Sequence, residues 1–440
     1  MAADAAVPTS IWRAAAATIG TRAIDIPSRY GFHILVAWKL GLVDAGAFYI
    51  VFSVLTLAAG AGRLGIDRAM TREVARALAV GDAPQARATI RRGIAIVAGL
   101  SLAAGAVIAL LAPLLAERLF HNPRLTMPLV LAAIAIVPMC LSAAAGGALA
   151  GLHRVALSQM IYSWLWPGLF CLLALPLALT LQNAFLLIIA ANVVCALVAF
   201  VLLARFQPRA VASGSAVAAP PLMGLGWSLF TSEIVQLLLA ALPGLVLGIV
   251  ASEGVVGAYA MAWRLALVLN LLVVAVAAMA SPRFADCGAR SDVAGLRRTA
   301  ALSLGIVLAL GLPVLAILLI GAPWFLALFG QGFESGATAM RVLLIGQAWL
   351  MFTATAPELL GMTGHEKAVK GVNLAAILIY APVLVLLSWW LGGTGAALAN
   401  LMAAIVSGGG AMWLARRLLG FAPPDALLAT ARDYWEQRRA

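Results

Sequence analysis

Six ionisable side chains sit inside or at the ends of long apolar stretches, where each one costs free energy to bury. Arg22, Asp25 and Arg29 share the first stretch at spacings of three and four, which places them on one helical face with Asp25 able to pair on either side. Glu233 and Arg264 each stand about ten residues into later stretches, roughly 15 Å along a helix that rises 1.5 Å per residue. Glu358 lies nearer the end of another. Charges at such depth face a protein interior or a watery cavity, usually with a partner. Two readings stay open. The charges form a network that fixes helix packing, or they line a central hydrophilic cavity. In the second reading Arg22, Arg29 and Arg264 attract a phosphate or pyrophosphate through charge-assisted hydrogen bonds. Asp25, Glu233 and Glu358 then tune that field or carry a coupling proton.

Catalytic patterns are absent. No GxxxxGK phosphate loop, nucleophile elbow or pair of metal-ligand histidines occurs, and His33, His121, His153 and His365 are scattered. Cys140, Cys171, Cys195 and Cys287 have no pairing rhythm, so neither disulfides nor a thiolate metal site is expected. The largest loops expected outside the membrane, 117–126 and 329–337, are too short to fold a catalytic domain. The expectation is a protein that is not an enzyme and holds no resident cofactor or metal, with a proton or sodium gradient as the candidate drive.

The elements that carry these charges follow from composition. Of the 440 residues 64% are apolar and 10% charged, with a mean hydropathy of +1.04. A soluble core wrapped in a polar shell does not reach such values. Apolar runs long enough to cross about 30 Å of hydrocarbon fall at 14–37, 45–62, 93–116, 126–150, 156–180, 184–204, 223–250, 254–281, 299–320, 338–362, 369–391 and 395–415. Helix is the element that satisfies its own backbone in lipid, so an all-α polytopic protein of about twelve spans is predicted. The 29 Lys and Arg concentrate in alternate connections, notably 63–92, 283–298 and 416–439, which puts both termini in the cytoplasm. The net charge of +12 reads as this topology signal and as attraction to anionic headgroups; no nucleic-acid partner is expected. Asp4 and Pro8 precede an apolar run broken by Arg13 and Arg22, so no cleavable signal peptide is expected.

The two halves echo each other. Gly46-Ala47-Phe48 is similar to Gly257-Ala258-Tyr259, Leu119-Phe120 to Leu328-Phe329, and Gly151-Leu152-His153 to Gly364-His365-Glu366, all at offsets near 211. Six spans per half is an even number, so the halves should insert the same way, related by an axis along the membrane normal. The expected domains are a six-helix bundle at 1–206, a cytoplasmic linker at 207–221, a second bundle at 222–420 and an amphipathic tail at 421–440 lying on the membrane surface. By the same offset Arg22 corresponds to Glu233. Gly147-xxx-Gly151 and Gly244-xxx-Gly248 should permit close helix approach.

Ala45-Gly46-Ala47-Phe48-Tyr49, Arg63-Leu64-Gly65-Ile66-Asp67, Arg72-Glu73-Val74-Ala75 and Gly257-Ala258-Tyr259 followed by Ala262-Trp263-Arg264-Leu265 give the chain a family resemblance. It resembles the polysaccharide or O-antigen (lipid-linked oligosaccharide) flippases of the multidrug/oligosaccharidyl-lipid/polysaccharide exporter superfamily over roughly 12–420. The resemblance implies a V of two six-helix bundles around a cationic cavity. It also implies alternating access that carries a polyprenyl-pyrophosphate-linked oligosaccharide across the bacterial inner membrane for envelope or exopolysaccharide biosynthesis. Expected partners are the lipid-linked glycan, membrane lipids, and a polysaccharide polymerase with glycosyltransferases. Arg264 is the one residue matched by a motif. The alternatives are a cation-coupled multidrug exporter of the same superfamily, disfavoured by three arginines, and a membrane-embedded glycan polymerase or ligase, disfavoured by the short outer loops.

Overall fold

The computed structural model describes the backbone of residues 9–208 and 221–429, with side chains from Ile24 onward except Ser232. Among the described residues every regular element is helical: α1 (Thr9–Arg63), α2 (Ile66–Ala79), α3 (Ala83–Leu114), α4 (Thr126–Gly151), α5 (Val155–Gln159), α6 (Leu165–Ala174), α7 (Leu181–Phe206), α8 (Leu222–Val250), α9 (Glu253–Ala266), α10 (Val268–Ala289), α11 (Val293–Ile320), α12 (Ala322–Ala327), α13 (Ala337–Thr353), α14 (Thr355–Met362) and α15 (Glu366–Leu419). Two π-helical turns, Leu115–Leu119 and Met160–Trp164, extend α3 and join α5 to α6.

Ten of the described helical stretches are long and apolar enough to cross a bilayer. Two of them double back. Gly41 in α1 (φ 73°) and Gly392 in α15 (φ 55°) leave helical geometry. The rings of Phe32 and Phe52 are 5.8 Å apart, although twenty residues of unbroken helix would separate them by about 30 Å. In α15, Val372 packs directly on Gly410. Each long helix is therefore a hairpin turned on one glycine, and the ten stretches make twelve passes, as the breaks near 37–45 and 391–395 predict. Only glycine enters these conformations without crowding a Cβ.

The chain forms two compact units, Met1–Ala241 and Leu242–Ala440. Both are built on one plan. The ends of α4 recur 211 residues later as the start of α13 and the end of α14. Asp82 caps α3 by accepting from the Gln85 N–H at 2.8 Å, and Asp292 caps α11 through the Gly295 N–H at 2.9 Å. The turn before each cap closes with the same bond, Asp82 N–H to the Ala77 carbonyl and Asp292 N–H to that of Cys287. Beyond α4 and α14 the matching bonds run from Arg154 N–H to Leu149 and from His365 N–H to Leu360, both 2.9 Å. The weak sequence echo is thus a repeat of backbone hydrogen bonding.

The border between the units falls inside α8, not at the expected 207–221 connection, of which residues 209–220 lie outside the described residues. The reason is local. The first half of α8 is held to the α1–α2 turn, where a Cβ on Gly65 would meet the Gly226 carbonyl at 2.5 Å. Pro243 follows directly after the border.

Packing in the first unit centres on α4, whose small residues are nearly all buried. A Cβ on Gly147 would meet the Asp67 carbonyl at 2.4 Å, and one on Gly151 the Thr71 carbonyl at 2.9 Å. The GxxxG spacing therefore brings α2 onto α4, as expected. Phe32, Phe48, Phe170 and Phe185 fill the space between α1, α6 and α7. Lys39 closes α6 by donating to the carbonyls of Ala174, Leu175 and Leu177 at 2.7–2.9 Å, a cation placed on exposed helix carbonyls.

The expected tail helix is described only at 423–429, which are helical. Phe421 and Ala426 are buried against Phe284, Leu296 and Leu359 of the second unit. Arg416 grips Asp425 with two bonds of 2.9 and 2.7 Å, and the Arg297 guanidinium sits 5.3 Å from the Phe421 ring. The described part of the tail is docked on protein; the rest lies outside the described residues.

Candidate functional site

The first unit holds a polar furrow among apolar helices. Arg29 stands twelve residues before Gly41, about 18 Å along α1. Its Nε lies 2.9 Å from Asp25 Oδ1, and its side chain is 56% exposed. It lines a cavity of about 180 Å³ with Phe32, His33, Phe52, Tyr162, Ser163 and Trp166. His33 Nδ1 is 3.3 Å from the Tyr49 hydroxyl, which orients the imidazole. Ser163 and Trp166 come from either side of the point where the π-helical turn Met160–Trp164 passes into α6.

Behind this cavity lies a compensated charge cluster. The Tyr162 hydroxyl donates to Asp67 Oδ2 at 2.8 Å. The Arg63 guanidinium reaches the same oxygen at 3.5 Å and Glu233 Oε1 at 3.6 Å, while Arg68 Nε lies 3.4 Å from Glu233 Oε2. The Asp67 side chain is 3% exposed. Two guanidinium groups face two carboxylates, so the cluster carries no net charge and can persist in a poorly solvated place. Outside it, Arg29 keeps one carboxylate partner and an open side facing the cavity.

Chemically, the furrow offers a planar guanidinium able to hold two oxygens of a phosphate, a hydroxyl and an imidazole, while the Tyr162 phenol is committed to Asp67. Among the described residues no group of three His, Cys, Asp or Glu side chains could hold a metal ion. The site is suited to binding an anionic polar group.

A family model described as "Polysaccharide biosynthesis protein" matches residues 13–287, more than half of the chain. The chain belongs to this polysaccharide biosynthesis protein family. Solved structures show which fold this family member adopts. It is similar to a multidrug resistance MATE family transporter of the MOP superfamily in an inward-facing conformation, with a TM-score of 0.72, 15% identity and coverage of 91% of this chain and 98% of that one. It is equally similar to the lipid II flippase MurJ in an inward closed conformation, with a TM-score of 0.73, 14% identity and coverage of 94% and 88%. A MOP superfamily transporter from Pyrococcus furiosus, described as having a binding pocket of reverse polarity, matches at a TM-score of 0.53 and 18% identity over 90% and 93%. This family member therefore has the fold of the MOP exporters. No curated protein sequence matches it.

Within the family member the predicted charges part company. Asp25 and Arg29 come together as the four-residue spacing requires. Arg22 lies in α1, with its side chain outside the described residues. Glu233 is not brought to them; it is bound to Arg63 and Arg68 at the α1–α2 turn. Arg264 belongs to the second unit, where its Nη1 donates to the Ala260 carbonyl at 2.7 Å. Glu358 accepts a hydrogen bond from Ser281, tying α14 to α10. The equivalent bond of the first unit runs from Thr71 to the Gly147 carbonyl at 2.8 Å, so Glu358 occupies a packing position of the repeat. The reading of the residues alone passed over His33, Tyr162, Arg63 and Asp67. The last two stand four apart in Arg63-Leu64-Gly65-Ile66-Asp67, a spacing that signals an ion pair.

Proposed function

We propose that this protein flips a polyprenyl-pyrophosphate-linked oligosaccharide across the bacterial inner membrane by alternating access, for envelope or exopolysaccharide biosynthesis. The observation that carries the reading is the half-exposed Arg29 guanidinium in a polar cavity walled by apolar helices. A cation so placed favours an anionic cargo, and pyrophosphate offers it two oxygens. Membership of a polysaccharide biosynthesis family and a fold shared with a lipid II flippase support the same cargo class. Arg22 and Arg264 are the further cations that the sequence offers to such a cargo, and both termini are cytoplasmic. The protein performs no covalent step; a proton or sodium gradient, or consumption of the glycan by a polymerase outside, draws the cycle forward. Glycosyltransferases on the inner face supply the cargo.

The test is flipping of a fluorescent polyprenyl-pyrophosphate oligosaccharide in proteoliposomes, read by quenching from outside. Arg29→Gln should slow flipping by about tenfold or more, the cost of one lost charge-assisted contact of about 1.5–3 kcal/mol. Full activity in Arg29→Gln, Arg22→Gln and Arg264→Gln alike refutes the reading. Uptake of organic cations by the wild type, with no glycan flipping, points to the multidrug alternative.

A further inference from the structure

The Arg29 cavity is short of positive charge for the anion it would take. Arg29 is paired with Asp25 at 2.9 Å, so the two together carry no net charge. The Tyr162 phenol in the cavity wall is bound to Asp67, within a cluster of two guanidinium groups and two carboxylates. A pyrophosphate joined to a lipid at one end and a sugar at the other is doubly negative. Moving it from water into a space walled by Phe32, Phe52 and Trp166 requires a compensating cation.

Among the described residues that line the cavity, His33 is the one further base. It follows Arg29 by four residues, which puts the two on one face of α1 with Cβ atoms about 6 Å apart. Its ring is fixed from more than one side. The Phe32 and Phe52 rings stand across it edge to face, with centroids at 4.8 and 6.2 Å. The Tyr49 hydroxyl lies 3.3 Å from Nδ1, and Tyr49, 3% exposed, comes from the second limb of the α1 hairpin. A hydroxyl both donates and accepts. It gives its proton to Nδ1 of a neutral imidazole and accepts one from the Nδ1–H of an imidazolium, so a gained proton does not break the contact that positions the ring. The titratable and charged groups around the imidazole are Arg29 with Asp25 on its own limb, Tyr49 on the second limb, and Tyr162 from the turn before α6, with Asp67 and Arg63 behind it.

We propose that His33 is the proton-linked binding residue of this cavity: as an imidazolium it stands beside Arg29 as a second cation, and the cargo pyrophosphate and one proton bind together. The assignment rests on the flippase reading above and adds to it the residue that makes loading depend on pH. An imidazolium bears a proton on each ring nitrogen, so its charge acts on the anion whichever nitrogen faces the cavity. The protonated form binds better. Affinity is therefore highest below the ordinary imidazole value near 6.5 and falls as pH rises through it. One unit charge about 6 Å from the anion, at an effective dielectric between those of a protein surface and bulk water, changes affinity roughly tenfold. By reciprocity the bound anion holds the proton by the same factor.

The test uses the full-length protein in nanodiscs and a fluorescent short-chain prenyl-pyrophosphoryl-N-acetylglucosamine, whose doubly esterified pyrophosphate keeps its charge across the range in which histidine titrates, about pH 5 to 8. Fluorescence polarisation should show binding about tenfold tighter at the acid end than at the alkaline end. Binding should also take up as much as one proton per ligand, read from heats in buffers of different ionisation enthalpy. In His33→Gln both the pH dependence and the proton uptake should vanish. In His33→Lys, which keeps a cation throughout this range, binding should stay tight at the alkaline end. A flat wild-type profile without proton uptake overturns the role of His33, and this measurement needs no variant to fold. A His33→Gln variant that keeps the wild-type profile overturns it equally. Wild type that binds no prenyl-pyrophosphoryl sugar at either pH overturns the flippase reading itself.

Discussion

Replacing Tyr162 with Phe removes one oxygen and leaves the ring in place, so it isolates the 2.8 Å bond to Asp67. A hydrogen bond to a charged partner contributes about 1.5–3 kcal/mol, and the acceptor here is 3% exposed, so solvent has little access to replace the lost donor. Asp67→Ala should cost more, about 3–5 kcal/mol, because it strips a carboxylate from a mostly buried Arg63 and leaves Tyr162 without an acceptor. The double variant should cost less than the sum of the two, since the shared bond is counted once; the coupling should equal the bond itself, about 1.5–3 kcal/mol. Reversible unfolding of the purified protein in mixed micelles, followed by helical circular dichroism for all four proteins of the cycle, measures it. Strict additivity, with a coupling below about 0.5 kcal/mol, would refute the view that Tyr162 and Asp67 act as one unit.

Gly147→Val should destabilise the first unit by about 1–3 kcal/mol through overpacking, because its Cβ would meet the α2 backbone at Asp67; Gly99→Ala, in the interior of α3 with open space around it, should instead leave stability unchanged or raise it by up to about 1 kcal/mol in the same unfolding assay. Ser291 holds a left-handed φ of 54° where the first repeat has Gly81 at 76°. Ser291→Gly should therefore stabilise and Gly81→Ser destabilise, each by about 1 kcal/mol, and a shared sign would contradict the repeat. The Arg416 hydrogen bonds hold the Asp425 carboxyl below its ordinary value. A depressed carboxylate contributes stability that is complete above its unfolded value near 4 and is lost as pH falls through the folded one. Tail docking, followed by protease cleavage near residue 420, should loosen only in that acid range, and Asp425→Asn should be loose at every pH.

How much of this was written in the sequence differs from residue to residue. The twelve passes were legible because hydrocarbon thickness sets a length that apolar runs must meet. The Asp25–Arg29 pair was legible because four residues is a local rule of the helix. Glu233 was not: its partners Arg63 and Arg68 lie about 170 residues earlier, and no periodicity encodes which distant turn a helix will lean on. Counting from the start of an apolar run gave it a position along α8 without revealing that the first half of α8 belongs to the first unit. Tyr162 was hidden for a further reason. It sits in a π-helical turn, where one extra residue breaks the 3.6 period used to decide which face a side chain takes. Glu358, near the end of its span, looked like a member of the coupling or charge network, yet its bond partner Ser281 shows it replacing a backbone carbonyl used by the other half.

The two glycine hairpins leave a mark on how this molecule meets its surroundings. At Gly41 and Gly392 a pass ends and the next begins with a single residue out of helical geometry, and exposed tryptophans, Trp38 in one and Trp389 with Trp390 in the other, stand just before the bend. A protease needs an extended strand of several residues to seat in its cleft, and an antibody needs a projecting loop. These bends offer neither. Both turns are closed to cleavage, epitope insertion and tethering alike, and any handle grafted at either must first unwind a membrane helix.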